Sequence, residues 1–366
     1  MFETPSQREP ADPGEPAGAE HSASSAPPRP AKRKRRARTI ALVSVTSVVA
    51  AAGAVALGGF VAVRHLEGNI HRIPNVFTGL AVDRQPAMPA ATRRSMTILL
   101  TGSPTLPAVR HGHGIDHSST APEPASGLIS LVHINASQKA GAIVSIPPNT
   151  LVNVPGHGRQ QIGSLLQIGG PSLLIGTVER LTRVRIDHYS VVNFSGVDAA
   201  LVPLGGVNVA VPQQITSNGA VFHAGINHLT SVTAFDYVGQ ASLSVDGRVL
   251  RQQALLRAIL DKLARDHLVS HPTSGFSVLN SFTKALSVDS NFSNSELRAL
   301  AMHLRLLGTG AGTFVSAPVQ RTGSGSQAGF TLKPAISAQL WTSIRNDDVA
   351  AFAQQHPSTV TPVAPR

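Results

Sequence analysis

The 366-residue chain contains no cysteine, which excludes disulfides and cysteine-based metal or redox centres. Aromatic residues are scarce at 4%, and charged residues make up only 14%. Small and aliphatic side chains fill the sequence instead: 42% is hydrophobic, with 32 Gly and 26 Pro. This composition suits an α/β domain built on Ala, Val and Leu with flexible attachments. The length allows one large domain or two ordinary ones. No internal repeat is evident.

Residues 1–38 are rich in Pro, Ala, Ser and Glu and turn sharply basic from Lys32 to Arg38. They have too little apolar surface to offset the entropy of ordering, so a disordered tail is expected. Ile40 to Val63 follows as 24 residues without charge or proline. As a helix this stretch would span roughly 36 Å, enough for a hydrocarbon core of about 30 Å. A cleaved signal peptide would have a shorter apolar region and a small-residue cleavage site. A buried core helix would be amphipathic or flanked by folded sequence on both sides. Residues 39–63 therefore read as a transmembrane signal anchor. The basic cluster holds its N-terminal side in the cytoplasm, and everything from Arg64 onward lies outside the cell membrane. The same cluster has the composition of a nucleic-acid patch, but its place against an apolar span favours the topogenic role, and no nucleic-acid partner is expected. The tail takes eight of the 31 basic and five of the 20 acidic residues, leaving 23 and 15 for the rest. A basic exported domain is attracted to anionic lipid or wall polymer.

Residues 64–95 read as a juxtamembrane connector. From Met96 the pattern is α/β. Met96 to Thr101, Leu128 to Ile134, Ala142 to Ile146, Tyr189 to Phe194 and Val207 to Val211 are predicted strands. Gly169-Gly170-Pro171 opens a predicted helix with Leu174, Val178 and Leu181 on one face. Val249 to Leu263 is the strongest central helix. Ser293 to Glu296 is a capping box ahead of Leu297, Leu300, Leu304 and Leu307. Residues 96–270 thus form an α/β domain around one sheet, 271–347 extend it, and 348–366 are expected to be a disordered tail.

Several segments carry a resemblance in their order and spacing. They are Ile98 to Ser103, Leu131 to Ile134, Val144-Ser-Ile-Pro147, Pro155-Gly-His-Gly158, Gly169 to Pro171, Thr177 to Glu179, Ile186 to Tyr189, Leu204 to Val209, Tyr237-Val238 and Asp246 to Gln253. Together they resemble the LytR-CpsA-Psr (LCP) family of cell-envelope phosphotransferases, from about Met96 to Asp266 and more weakly to Asp347. The resemblance implies a central mixed β-sheet flanked by helices, here preceded by one transmembrane helix. It also implies a polyprenyl-pyrophosphate-linked glycan as donor, peptidoglycan as acceptor and Mg²⁺ as cofactor if the protein is active. Bidentate arginines suit a pyrophosphate, and a divalent ion neutralises charge on the leaving group.

Most of the family's charged positions are replaced. Where the family has an acidic residue and an Arg after Gly-Ser, this chain has Pro104 and Leu106. Its Arg-Ser-Asp is Ala125-Ser126-Gly127, and its Arg-Asp after Ser-Ile-Pro is Pro148-Asn149. A Lys-Ile-Asn turn is Gln161-Ile162-Gly163, and two further arginines are Gly239 and Ala241. Arg248 and Arg251, with Asp246 before them, remain. By resemblance Arg248 and Arg251 are the pyrophosphate-binding pair, with Asp246 and Asn149 as accessory groups. An equally open reading makes the pair a helix start whose arginine stems cover the sheet. Each charged hydrogen bond contributes roughly 1.5–3 kcal/mol, so losing four arginines removes on the order of 6–12 kcal/mol if the terms add. The expectation is a protein of cell-wall assembly with weakened or lost transfer, acting by binding glycan lipid, wall polymer or an active LCP relative. The alternative is an active phosphotransferase recruiting Arg159, Arg183 or Arg185.

Other candidates carry less. His111, His113 and His117 have the residue types of a metal site, but they sit in a Gly/Ser/Pro-rich loop without a rigid scaffold. His157 reads as a turn residue. Ser145 and Thr150 with Asp187-His188 have the residue types of a nucleophile set, for which spacing alone is no argument.

Overall fold

A computed structural model describes residues 61–80, 95–103, 127–217, 219–239, 245–265, 272–307, 310, 312–323 and 329–361. The described residues open with a helical stretch over 61–69 (α1) and strand β1 (His71–Ile73). There follow β2 (Met96–Ser103), β3 (Leu128–Ile134), β4 (Gly141–Ser145), the β5 (Leu151–Val154) and β6 (Gly158–Gln161) hairpin, and α2 (Leu165–Thr182). Next are β7 (His188–Asn193), α3 (Phe194–Leu204), β8 (Val207–Val211), β9 (Ile215–Ser217), β10 (Ala220–Phe222), β11 (Gly225–Leu229), α4 (Ser231–Gly239), α5 (Val245–Arg265) and α6 (Pro272–Lys284). The chain closes with β12 (Leu286–Asp289), α7 (Asn294–Leu306), β13 (Gly312–Ser316), β14 (Val319–Thr322), β15 (Gly329–Leu332), α8 (Pro334–Arg345) and α9 (Val349–Gln355).

Seven strands make the central sheet in the order β1-β12-β7-β2-β3-β4-β13. The sheet is mixed. β2 runs parallel to β7 and β13 parallel to β4, whereas β3 is antiparallel to both β2 and β4. Strand alternation divides the core between its two faces. Leu99, Leu131, Val144 and Val315 join α2, α8 and α9 residues such as Val178, Trp341 and Phe352 on one side. Ile98, Val132, Ile143 and Phe314 meet Leu260, Leu297 and Leu300 on the other. A separate apolar cluster, including Leu201, Val209, Phe222, Tyr237 and Ile259, holds α3, α4 and β8 to β11 against α5 and α6. The expected α/β class with a mixed sheet and flanking helices is what the chain adopts.

Local signals hold as well. Ser293 and Glu296 close a reciprocal capping box at α7. Gly169 and Gly170 take non-helical backbone angles, so the regular part of α2 starts at Pro171. Two readings need correction. The expected disordered tail 348–366 contains α9, whose Val349 and Phe352 are buried, and Val360 bridges to Val315. Within the connector, β1 pairs with β12 and forms an edge of the sheet. The expected tail 1–38, most of the 39–63 span and the His111/His113/His117 loop lie outside the described residues. Among the described residues, no helix is long and apolar enough to cross a membrane.

A part-buried hydrogen-bonded His–Asp pair ties the sheet to the C-terminal helices. His133 Nε2 lies 2.7 Å from Asp347 Oδ1, its Nδ1 lies 2.9 Å from Thr97 Oγ1, and the Ala136 amide donates to Asp347 Oδ2. Burial alone would raise the Asp347 carboxyl, but the hydrogen bonds from His133 and Ala136 outweigh it and hold it below the usual range. A depressed carboxyl stabilises the fold above its unfolded value, near pH ~3.9, and that contribution is lost as pH falls through the folded value. Asp347→Asn is therefore expected to lower the melting temperature at neutral pH, with the gap to the parent closing below about pH 4. Melting curves across pH check this, and a gap of constant size would rule the linkage out.

Candidate functional site

β2, β4, β7 and β13 all end at one edge of the sheet, where β3 begins. In open α/β sheets this is the side where ligands gather. Ser130 faces Ser145 in the β3–β4 register, with their hydroxyls 2.8 Å apart. Continuing that register places Gly127 across from Pro148. The loop after β4 is pinned by backbone bonds. The Gly163 amide donates to the Pro148 carbonyl at 2.8 Å, Ile162 to Thr150 at 2.8 Å, and Phe330 to Asn149 at 3.1 Å. The Pro148-Asn149 and Gln161-Ile162-Gly163 turns are therefore direct neighbours.

Helix α5 is fastened to this edge. Gln252 Nε2 donates to the Gly127 carbonyl at 3.1 Å, and Gln253 Nε2 donates to the Val315 carbonyl at 2.8 Å. Arg251, between them and the second core, is only 7% exposed, and its guanidinium lies 5.7 Å from the centre of the Tyr237 ring. Burial pushes the Tyr237 hydroxyl up to about 12, while the nearby Arg251 charge pulls the other way. Two further polar atoms are buried here, Thr150 Oγ1 and Gln252 Oε1, with no hydrogen-bond partner among the described residues. Sequence reading named Thr150 only as part of a nucleophile set and passed over Gln252. Glutamine and threonine carry no charge pattern to single them out, and only the fold turns them inward.

A match to the sequence pattern of the LytR_cpsA_psr family runs over residues 77–337. The chain belongs to that family. It is 26% identical over 230 residues to "Probable cell wall biosynthesis protein LcpB" of Corynebacterium glutamicum, covering 61% of this chain and 55% of that one. It is 33% identical over 141 residues to the polyisoprenyl-teichoic acid–peptidoglycan teichoic acid transferase TagT of Bacillus subtilis, covering 36% and 44%. The chain thus spans about half the length of the curated relatives it matches. The crystal structure of B. subtilis TagV shares the fold, with TM-score 0.54, 21% identity and coverage of 74% and 99%.

Several positions at which the resemblance expects charge lie together at the strand-end edge. Gly127, Pro148-Asn149 and Gln161 to Gly163 converge there, and Arg251 approaches through the Gln252 contact with Gly127. Asp246 and Arg248 lie on the first turn of α5, and their side chains fall outside the described ones, as do Pro104, Leu106, Ala125, Ser126 and Ala241. Two of the candidate replacement arginines, Arg183 and Arg185, do not share this edge. Arg183 caps the C-terminus of α2 and Arg185 pairs with Asp187 at 4.0 Å, both ahead of β7 and so at the opposite end of the strands. Arg159 is exposed beside the β5–β6 turn.

The nucleophile set is not assembled. Ser145 ends β4 and Thr150 follows it, whereas Asp187 precedes and His188 begins β7. His188 stacks on Phe292 with centroids 3.8 Å apart and bonds Asp289 at 3.1 Å. His157 occupies the turn between Gly156 and Gly158, whose φ values of 76° and 66° are positive. The Mg²⁺ expected by resemblance finds a poor donor set. The described side chains at the edge, from Ser145, Asn149, Thr150, Arg251 and Gln252, supply neutral groups and a cation but no carboxylate, whereas Mg²⁺ is held by one or two carboxylates. These residues do not fit the ion.

Proposed function

We propose that this LCP protein is anchored in the cell membrane through residues 39–63, with its main domain outside, and acts in cell-wall assembly by binding. Its ligand class is a polyprenyl-pyrophosphate-linked glycan or an anionic wall polymer destined for peptidoglycan, with transfer weakened or lost. The observation that carries this reading is the convergence of Gly127, Pro148, Asn149 and Gln161 at one strand-end edge, where a diphosphate and its counter-ion would require charge. The buried oxygens of Thr150 and Gln252 and the buried Arg251 leave hydrogen-bonding capacity and one cation. That combination suits retention of a ligand more than turnover of it. The names of TagT and LcpB, which place those relatives in teichoic acid transfer and cell wall biosynthesis, support the setting.

The test incubates the full chain in detergent with a polyprenyl-pyrophosphate glycan, peptidoglycan and Mg²⁺. Binding of the lipid without release of polyprenyl phosphate is expected; release in proportion to protein would establish an active transferase instead. In the same system Arg248→Ala with Arg251→Ala should weaken lipid binding by roughly tenfold or more, as expected for the loss of one to two charged hydrogen bonds. Unchanged affinity would make those arginines structural.

A further inference from the structure

The anchor reading fixes more than topology, because the apolar run and the folded domain share residues. The run ends at Val63 and charge begins at Arg64, and both belong to the described helix α1. If the run occupies the hydrocarbon, the boundary falls there. His65 is two residues beyond Val63, about 3 Å along a helix, and the headgroup layer is roughly 5–7 Å deep.

Helix α6 lies beside α1 and runs in the same direction. His65 contacts Phe276, with ring centroids 5.8 Å apart, and its Nε2 lies 3.2 Å from Asn280 Oδ1. One turn on, Asn69 donates to Asn280 at 2.9 Å and to Thr283 at 3.2 Å. The first turns of α6 are therefore the part nearest the boundary. There the helix presents Phe276 and Leu279, 37% and 40% exposed, and α1 exposes Val61 and Val63 at 58% and 36%. Large apolar side chains grouped at this level match a membrane interface, and the excess of basic residues in the exported part favours anionic lipid.

Both helices then deliver the chain to the edge that holds the candidate site. β12 is antiparallel to β7, so its first residue pairs with Val192 near the end of β7, and the Asn193 amide donates to the Ala285 carbonyl at 2.9 Å. From Phe276 to Ala285 is nine residues, about 14 Å of helix.

We infer that the face formed by α1 and the N-terminal half of α6, led by Phe276 and Leu279, seats in the headgroup region of the bilayer and holds the strand-end edge toward the membrane. The occupant is lipid. A lipid-linked ligand could then reach the site without its isoprenoid leaving the bilayer. This inference rests on the anchor reading, and its test separates the two.

The chain has no cysteine, so single-cysteine variants label cleanly. The full-length protein carrying Phe276→Cys, Leu279→Cys or, as control, Lys139→Cys in the exposed β3–β4 turn is labelled with bimane and reconstituted into vesicles of phosphatidylglycerol and phosphatidylcholine with shallow doxyl-lipid quencher. All three positions are exposed, so the fold should tolerate the changes. The protein should float with the vesicles, and quenching at 276 and 279 should exceed that at 139 by roughly twofold or more, given the shallow depth of the layer. Flotation with equal quenching at all three positions would overturn the docked face and leave the anchor intact. Failure to float would remove the anchor and the docked face together. Pyrene excimers at 276 without lipid quenching would assign the face to a second copy of the chain, against the inference.

Discussion

Replacing Pro148 by arginine should raise the affinity of the full chain for a polyprenyl-pyrophosphate lipid by roughly tenfold to a hundredfold. One or two new charged hydrogen bonds in a half-buried loop contribute about that much. The loop can accept the change. The Pro148 carbonyl, which receives the Gly163 amide, and the Asn149 carbonyl, which receives Phe330, are backbone groups that persist in the variant. Proline has no amide proton to lose. Arg251, next to Gln252 on α5, lies over the Tyr237 ring at 5.7 Å. Isothermal titration of both proteins checks the expectation. Equal affinity would mean that the lost charges at this loop never faced the ligand.

The largest effect on stability is expected at Phe314. It is buried on β13, its ring lies under the Arg257 guanidinium at 5.0 Å, and its carbonyl receives the Thr361 amide at 3.0 Å. Arg257 itself donates to the Thr361 carbonyl at 3.1 Å, so the ring sits where the sheet, α5 and the end of the described chain converge. Phe314→Ala should cost about 3–5 kcal/mol, the range for emptying an aromatic site in a packed core. Urea unfolding gives the number. A loss under about 1 kcal/mol would show that the site collapses around the deletion or is packed loosely.

The main strands were legible because they are apolar runs bounded by turns. Leu128 to Ile134 and Val207 to Val211 have the same limits in the sequence reading and in the fold. Helix α5 and the α7 capping box were equally clear, one from periodicity over many turns and the other from side-chain chemistry. Short elements were not. Helix α9 is a seven-residue piece with two buried apolar anchors, Val349 and Phe352, too few to show a period inside a polar run. Strand β1 has three residues and exists because β12 is there to pair with it.

The site was half legible. The residues replacing charge were found by position along the chain, and the register then showed that they are neighbours. The inward turn of Thr150 and Gln252 and the contact of Arg251 with Tyr237 depend on tertiary packing, which no local pattern encodes.

Magnesium dependence tests the central claim most directly. Among the described side chains of the strand-end edge, no carboxylate is available to hold a divalent ion beside a bound diphosphate. The wild-type chain titrated with a polyprenyl-pyrophosphate glycan should give the same affinity with magnesium as with a chelator. An affinity that tightens tenfold or more when magnesium is added would contradict the account.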